Sequence, residues 1–265
     1  AYALRFLNDA KDFIEVDEKV IENATKYLQA QQREDGSFYK KYYGETKEDE
    51  SRKKMLTTYI ARTLAKLKTD KATLDKSLAY LKTRNSEIDE PYALALYGLA
   101  NFDAENIGEA EKIVKKLSTL AKNESGTVYW NLESNTPFYG WGNVGRIETT
   151  ALVVQTLAKS TDQNPQTKDL ISKGMLFLLK NKDHYGVWYS TQTTINVLDT
   201  FLAQLSTENK EQQTISVSMN GERLKDFTVS ADQIEPIILS LNDKLAAVNH
   251  LEIQSSNDSF VNAQI

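Results

Sequence analysis

The sequence contains no cysteine in its 265 residues. This absence excludes disulfide bonds, thiolate metal ligands and a cysteine nucleophile within these residues. It leaves the redox compartment open, because a cysteine-free chain suits both the cytosol and the periplasm. Histidine occurs only at His184 and His250, and neither has a metal-ligand partner at helical spacing. We therefore expect no metal site, no cofactor and no catalytic residue in this chain.

Long apolar runs and an excess of one charge are also missing. The longest apolar stretch, residues 92–100, is far shorter than the ~20 residues that cross a bilayer, so we expect no membrane span. Acidic and basic residues are interspersed and leave a mild net charge of −5. No basic stripe is present to neutralise phosphates, which argues against a nucleic-acid partner.

Apolar residues recur at spacings of three and four throughout residues 1–206, which predicts about nine helices. Two kinds of helix alternate. Residues 70–84 are amphipathic, whereas 91–102 and "GMLFLLK" (174–180) are apolar nearly all round, which predicts burial on several sides. This alternation predicts an inner ring of helices inside an outer ring, an α/α toroid or terpenoid-cyclase-like helical barrel. An open helical solenoid would give a similar pattern.

From residue 207 the apolar pattern changes to a period of two. Ile215, Val217 and Met219 alternate with polar residues and lead into Asn220-Gly221, a dipeptide favoured in tight hairpin turns. Similar alternation follows at 227–229, 237–241 and 251–253, which predicts four or five strands. We therefore divide the chain into a helical domain, 1–206, and a partial antiparallel β-sandwich, 207–265.

The two ends of the sequence look cut. It begins with "AYALRFL", already inside an amphipathic pattern and without a capping residue, and it ends with "FVNAQI" in strand-like alternation. We expect a fragment of a longer protein, so the missing signal sequence says nothing about localisation.

Two segments repeat a helical pattern followed by glycine and an aromatic residue. The motif residues are Gln31, Asp35, Gly36 and Phe38 in "YLQAQQREDGSF", and Gly186, Trp188, Ser190, Thr191 and Gln192 in "YGVWYSTQTTINVL". The repeat is either a catalytic or a packing device. Packing is favoured, because glycine permits a tight turn, tryptophan fills space between helices, and Ser190 or Thr191 can cap the next helix.

Two further segments have unusual composition. Residues 123–145 hold five large aromatics, which either form a recognition surface or plug one end of the barrel. These are Tyr129, Trp130, Phe138, Tyr139 and Trp141. The acidic cluster at 47–51 is best interpreted as a helix N-terminus, where carboxylates complement the helix dipole.

The order of these segments resembles a known family. Residues 1–38 are followed by "MLTTYIARTLAKL", "PYALALYGLA", "RIETTALVVQTLAK" (which contains Glu148) and "YGVWYSTQTTINVLDTFLAQ". This succession is similar to the thioester domains of α2-macroglobulin and complement proteins, over nearly all of residues 1–206.

The resemblance implies an α/α toroid inserted in a CUB- or macroglobulin-like β domain. It also implies a large secreted or periplasmic protein that traps proteases or covalently tags other target proteins, without being an enzyme. The cysteine-free composition favours a bacterial member. The family reacts through a Cys–Gln thioester in a "CGEQ"-type motif, which lies upstream of the matching region. Expected partners are the targets of the full-length molecule and neighbouring macroglobulin-type β domains.

The sequence also lacks a histidine that some family members carry. Some members carry a helper histidine after the segment that matches "DGSF", whereas residues 39–51 here contain none. The resemblance then implies a preference for amines over hydroxyls. Two alternatives stay open, a non-reactive helical binding scaffold and an enzyme of the terpene cyclase or prenyltransferase type. The enzyme lacks support, because the chain has no "DxDD" motif and no cysteine for the prenyltransferase zinc site.

Overall fold

Nine α-helices precede a small sheet in the computed structural model, which describes residues 1–68, 70–137, 140–207, 212–230 and 237–256. The chain divides into two units, residues 1–203 and 204–265. The helices are α1 (Tyr2–Ala10), α2 (Glu18–Gln31), α3 (Glu50–Leu67), α4 (Lys71–Thr83), α5 (Pro91–Asp103), α6 (Ile107–Thr119), α7 (Gly142–Ala158), α8 (Pro165–Lys180) and α9 (Thr191–Thr207). A short hairpin, β1 (Lys122–Glu124) and β2 (Thr127–Tyr129), lies between α6 and α7.

Helices α3, α5 and α7 are buried over most of their length, whereas α4, α6 and α8 are amphipathic. In α5, which begins with proline at a favoured position, every residue from Pro91 to Phe102 is buried. In α4, by contrast, Leu74, Leu78 and Leu81 face inward while the opposite side meets solvent. This is the alternation that an inner and an outer ring of helices require.

The inner helices are neighbours in chain order. Helix α3 packs on α5 and on α1, and α5 packs on α7. The amide of Gln155 in α7 donates to Asn196 O (3.1 Å) and Thr200 Oγ1 (3.0 Å) in α9. Arg5 of α1 forms an ion pair with Asp199 of α9, which brings the first and last inner helices together. The predicted α/α toroid is confirmed, and an open solenoid is excluded because its terminal helices would not meet.

The prediction for "GMLFLLK" is wrong. This segment belongs to α8, an outer helix, and Leu176 is 36% exposed. Its buried face includes Gly174, where a Cβ would lie 2.6 Å from Val154 Cγ2. The composition suggested burial all round, but the close approach of Gly174 to α7 defines one inward face.

Helix α3 begins as the acidic cluster predicts. The Asp49 carboxylate accepts from Arg52 N at 3.0 Å and caps the helix, and Glu50 lies in the first turn. Both carboxylates therefore complement the N-terminal end of the helix dipole.

The second unit contains one antiparallel sheet among its described residues. Its strands are β3 (Gln213–Met219), β4 (Glu222–Val229) and β5 (Leu251–Ser255), in the order β4-β3-β5. The predicted hairpin is present, with φ of 53° at Asn220 and 84° at Gly221. The predicted strand at 237–241 is wrong: this stretch is irregular. A short period-two pattern cannot distinguish a paired strand from extended coil, because pairing depends on a free sheet edge.

Candidate functional site

The first glycine–aromatic segment is a five-residue turn after α2. Arg33 N donates to Ser37 O (3.0 Å) and Gly36 N donates to Arg33 O (2.9 Å). Gly36 has a φ of +87°, which L side chains rarely adopt. Phe38 follows and is buried.

The second segment repeats this turn after α8. Asp183 N donates to Val187 O (2.9 Å) and Gly186 N donates to Asp183 O (3.0 Å). Gly186 has a φ of +84°, and buried Trp188 follows. The two segments therefore share one backbone geometry, with glycine at the fourth position and the aromatic at the sixth.

The backbone N–H of each aromatic residue donates to a threonine hydroxyl on the next inner helix. The same arrangement occurs a third time after the β1–β2 hairpin. The bonds are Phe38 N to Thr57 Oγ1 (2.9 Å), Trp130 N to Thr150 Oγ1 (3.1 Å) and Trp188 N to Thr194 Oγ1 (3.0 Å). Each threonine thus satisfies a backbone donor that the packed aromatic would otherwise bury unpaired.

The two tryptophan side chains also bond to the preceding outer helix. Trp130 Nε1 donates to Leu117 O near the end of α6, and Trp188 Nε1 donates to Leu178 O near the end of α8, both at 2.7 Å. Each indole thus satisfies a carbonyl near a helix C-terminus while its ring fills the space between the two layers. The repeat joins outer to inner helices.

Removing one of these hydroxyls should cost stability. Thr150→Val keeps the shape but leaves the buried Trp130 N–H without its acceptor, so we expect a loss of about 1–3 kcal/mol in the free energy of unfolding. Urea titration measures it. Thr119→Val is the matched control, because Thr119 is exposed and its hydroxyl bonds only to Lys116 O of its own helix. Equal unfolding midpoints for the two variants would contradict the role of Thr150.

The other motif residues occupy supporting positions. Gln31 is exposed, and its neighbour Gln32 makes the contacts, donating to Thr73 O (2.8 Å), Ser77 Oγ (2.9 Å) and Gly36 O (3.2 Å). The sequence interpretation therefore chose the wrong glutamine. Asp35 Oδ1 accepts from Ser37 N (3.0 Å), which closes the turn.

The start of α9 contains the remaining motif residues. Ser190 Oγ accepts from Thr193 N at 3.1 Å and caps the helix. Thr191 and Gln192 lie in its first turn, with Thr191 exposed and Gln192 half-buried. This geometry is structural, since capping satisfies the free N–H groups at a helix start.

The aromatics of residues 123–145 do not form one exposed surface. Trp130 is fully buried, so its assignment to a recognition loop is wrong. Tyr129 stacks on Phe177 with ring centroids 5.3 Å apart, and Trp141 is 73% exposed. Phe138 and Tyr139 lie outside the described residues. Tyr129 and Trp130 therefore pack between the helices, and the prediction that the aromatics plug one end of the barrel stays a prediction.

Glu148 is a buried acid near the start of α7, with only 2% of its surface exposed. Its Oε1 accepts from Asn196 Nδ2 at 3.2 Å, and the Thr136 hydroxyl also donates to the carboxylate. Burial raises the pKa of Glu148 to about 7, against the opposing effect of these two donors.

The C-terminal parts of inner helices carry ion pairs. Arg62 of α3 pairs with Asp103 of α5, and Lys159, which follows α7, lies 2.8 Å from the same carboxylate. Burial, followed by the charge of Arg5, lowers the pKa of Arg62 to about 10. These cations and carboxylates alternate and neutralise one another, which suits a structural role.

Helices α1 and α9 present apolar side chains to solvent. Phe6 is 57% exposed and Leu202 is 63% exposed, with Tyr2 and Leu198 also exposed beside them on their respective helices. The Arg5–Asp199 pair joins these two helices. Two neighbouring helices therefore each carry exposed apolar side chains.

The same residues that build the toroid match a family model, the A-macroglobulin TED domain, over residues 1–204. The chain belongs to this A-macroglobulin TED domain family. The match covers α1 to α8 and nearly all of α9, so the glycine–aromatic turns are part of a TED domain's architecture.

Membrane spans and metal-ligand clusters are both absent from the described residues of the chain. No helix there is long and apolar enough to span a membrane. No group of three or more His, Asp or Glu side chains that could hold a metal ion is found in the same residues.

Proposed function

We propose that this chain is the scaffold of the thioester domain in a macroglobulin-type protein that traps proteases or covalently tags other target proteins. The observation that carries the proposal is the pair of exposed apolar faces on α1 and α9, within a toroid of the TED family. A helix docked there would bury Phe6 and Leu202 on the helices that Arg5 and Asp199 join.

The docked helix is the proposed carrier of the reactive group. The chain has no cysteine, so the thioester sulfur must come from outside these residues. In the proposed reaction a target amine attacks the acyl carbon of the thioester, an amide bond forms, and the cysteine leaves as a thiolate that takes up the amine's proton. Residues 39–51 contain no histidine that could act as a base, which supports a preference for amines over hydroxyls.

The proposed protein is not an enzyme, because each thioester is consumed in a single acyl transfer. We propose an extracellular or periplasmic location, which suits the typically extracellular members of this family. The partners would be proteases or other target proteins, and macroglobulin-type β domains beside the toroid.

A protease-capture experiment tests this function. The protein is purified from its natural source and incubated with a panel of proteases. Complexes are then resolved on denaturing gels. We expect conjugates that survive denaturation, and their loss after pretreatment with methylamine, which consumes a thioester. Pretreatment with glycerol, which offers hydroxyls only, is the matched control and should leave the conjugates intact.

The outcomes separate the proposed function from its main alternative. Conjugates that resist methylamine pretreatment would overturn the thioester proposal. Protease complexes that dissociate on denaturation, with no amine incorporated, would favour a non-reactive binding scaffold. The absence of an internal cysteine is compatible with both functions. The exposed apolar faces of α1 and α9 favour the thioester protein, because a thioester-bearing helix could dock on them.

A further inference from the structure

Glu148 connects three parts of the toroid from inside it. It lies on α7, bonds to Asn196 of α9, and accepts from Thr136 of the segment between β2 and α7. Thr136 is itself paired with Gly140, since Thr136 N donates to Gly140 O (2.9 Å) and Gly140 N donates to Thr136 Oγ1 (2.8 Å). We call this pair of bonds the 136/140 contact.

The space around the carboxylate is tightly filled. A Cβ added to Gly140 would lie 2.6 Å from Glu148 Oε2 and 2.8 Å from Thr136 Oγ1. Gly145 is equally confined, with a built Cβ 2.9 Å from Leu132 Cδ2. The backbone at Gly140 therefore covers the carboxylate on this side.

The groups that face Glu148 supply no compensating positive charge. Within the described part of the chain its hydrogen-bond donors are the neutral groups of Thr136 and Asn196. The buried hydroxyls of Tyr92 on α5 and Tyr59 on α3 feel its charge, which raises the pKa of both after the larger effect of burial. The charge of Arg5 on α1 acts on both tyrosines and lowers their pKa.

We propose that Glu148 is a proton-linked latch: its neutral form keeps the 136/140 contact closed over the start of α7, and its ionisation opens that contact. An isolated buried carboxylate is costly, so the side chain either keeps a proton or reaches water. Opening the 136/140 contact is the local movement that gives it water without unfolding the ring. This inference does not depend on the proposed thioester chemistry.

The direction of the pH effect follows from linkage. Burial raises the pKa of Glu148 from its ordinary value of 4.5 to about 7. The closed state therefore binds the proton more tightly than an open state with a solvated carboxyl. Its advantage is complete below about pH 4.5 and is lost as pH rises through about 7. Between pH 6 and 8 the opening equilibrium should rise about tenfold.

Amide hydrogen exchange on the 265-residue chain tests the latch. Protection of the Thr136 and Gly140 amides is measured at pH 6, 7 and 8 and corrected for the intrinsic pH dependence of exchange. We expect protection to fall about tenfold across this range in the wild type. In Glu148→Gln, which is neutral at every pH, we expect no such fall. Glu22→Gln, on the exposed face of α2, should behave as the wild type.

A second measurement keeps the test valid if Glu148→Gln fails to fold. Carbon-13 NMR of the wild-type glutamate carboxyls should show one group that titrates near pH 7, with the amide shift of Gly140 changing at the same pH. A Glu148 carboxyl that titrates below pH 5 would overturn the proposal. So would equal pH dependence of Gly140 protection in the wild type and Glu148→Gln.

Discussion

Trp188→Ala should lower the free energy of unfolding by about 3–5 kcal/mol. The indole packs among Ile147, Phe177 and Val197 in a buried cluster, so its removal leaves a large cavity. It also removes the donor to Leu178 O near the end of α8. Thermal or urea unfolding of the 265-residue chain measures the loss.

Two control variants separate the contributions to this effect. Trp188→Phe keeps an aromatic ring and loses the N–H donor, so it should cost less than the alanine variant. Trp141→Ala removes an exposed tryptophan and should change stability by no more than about 0.5 kcal/mol. An unchanged melting temperature for Trp188→Ala would show that this tryptophan is not a packing element.

Gly36→Ala is the second substitution with a large expected effect. The new Cβ would lie 2.3 Å from Lys76 O, a backbone atom of α4, at a φ of +87°. Left-handed backbone costs about 1–2 kcal/mol for a non-glycine residue, and overpacking adds about 1–3 kcal/mol. We expect a total loss of about 2–5 kcal/mol. The shift would also disturb the bonds from Gln32 and Ser77 to Gly36 O.

The second copy of the turn supplies the matched control. Gly186 has nearly the same φ, +84°, but among the described residues, its chain neighbours aside, no atom lies within 4 Å of its built Cβ. Gly186→Ala should therefore show the backbone cost alone, about 1–2 kcal/mol. The difference between the two variants measures the collision with α4. Equal losses would mean that the close approach of Gly36 to α4 adds nothing to the cost of the substitution.

The toroid could be predicted from the sequence because apolar spacing records which face of a helix is buried. Residues 91–102 show this best, since they are apolar all round and every one is buried. Helix α8 shows the limit of the method. Apolar composition at 174–180 did not reveal that Gly174 sets a close contact with α7 and leaves the far side wet.

The threonines that accept the backbone N–H of the three aromatic residues were not predicted, although a sequence pattern marks them. Each accepting inner helix contains a pair of adjacent threonines, Thr57-Thr58, Thr149-Thr150 and Thr193-Thr194. One member of each pair accepts the aromatic N–H. Single-residue propensity does not explain the accepting threonine in a buried helix, whereas a hydrogen-bonding requirement does.

Other features depend on long-range contacts and could not be predicted. The burial of Glu148 depends on Asn196, which lies 48 positions away, and on the packing of Gly140. The exposure of Phe6 and Leu202 depends on where the ring of inner helices leaves a face uncovered. The spacing of apolar residues within one helix predicts neither this burial nor this exposure.

In the proposed function, residues 1–265 form the scaffold and the reactive group lies outside them. The most direct test of this arrangement is peptide mapping of the protein, purified from its natural source, after reaction with isotope-labelled methylamine. We predict the label on one glutamine-derived residue outside these residues, together with one newly exposed thiol. Label on any residue between 1 and 265, or no label anywhere in a correctly folded protein, would contradict the account.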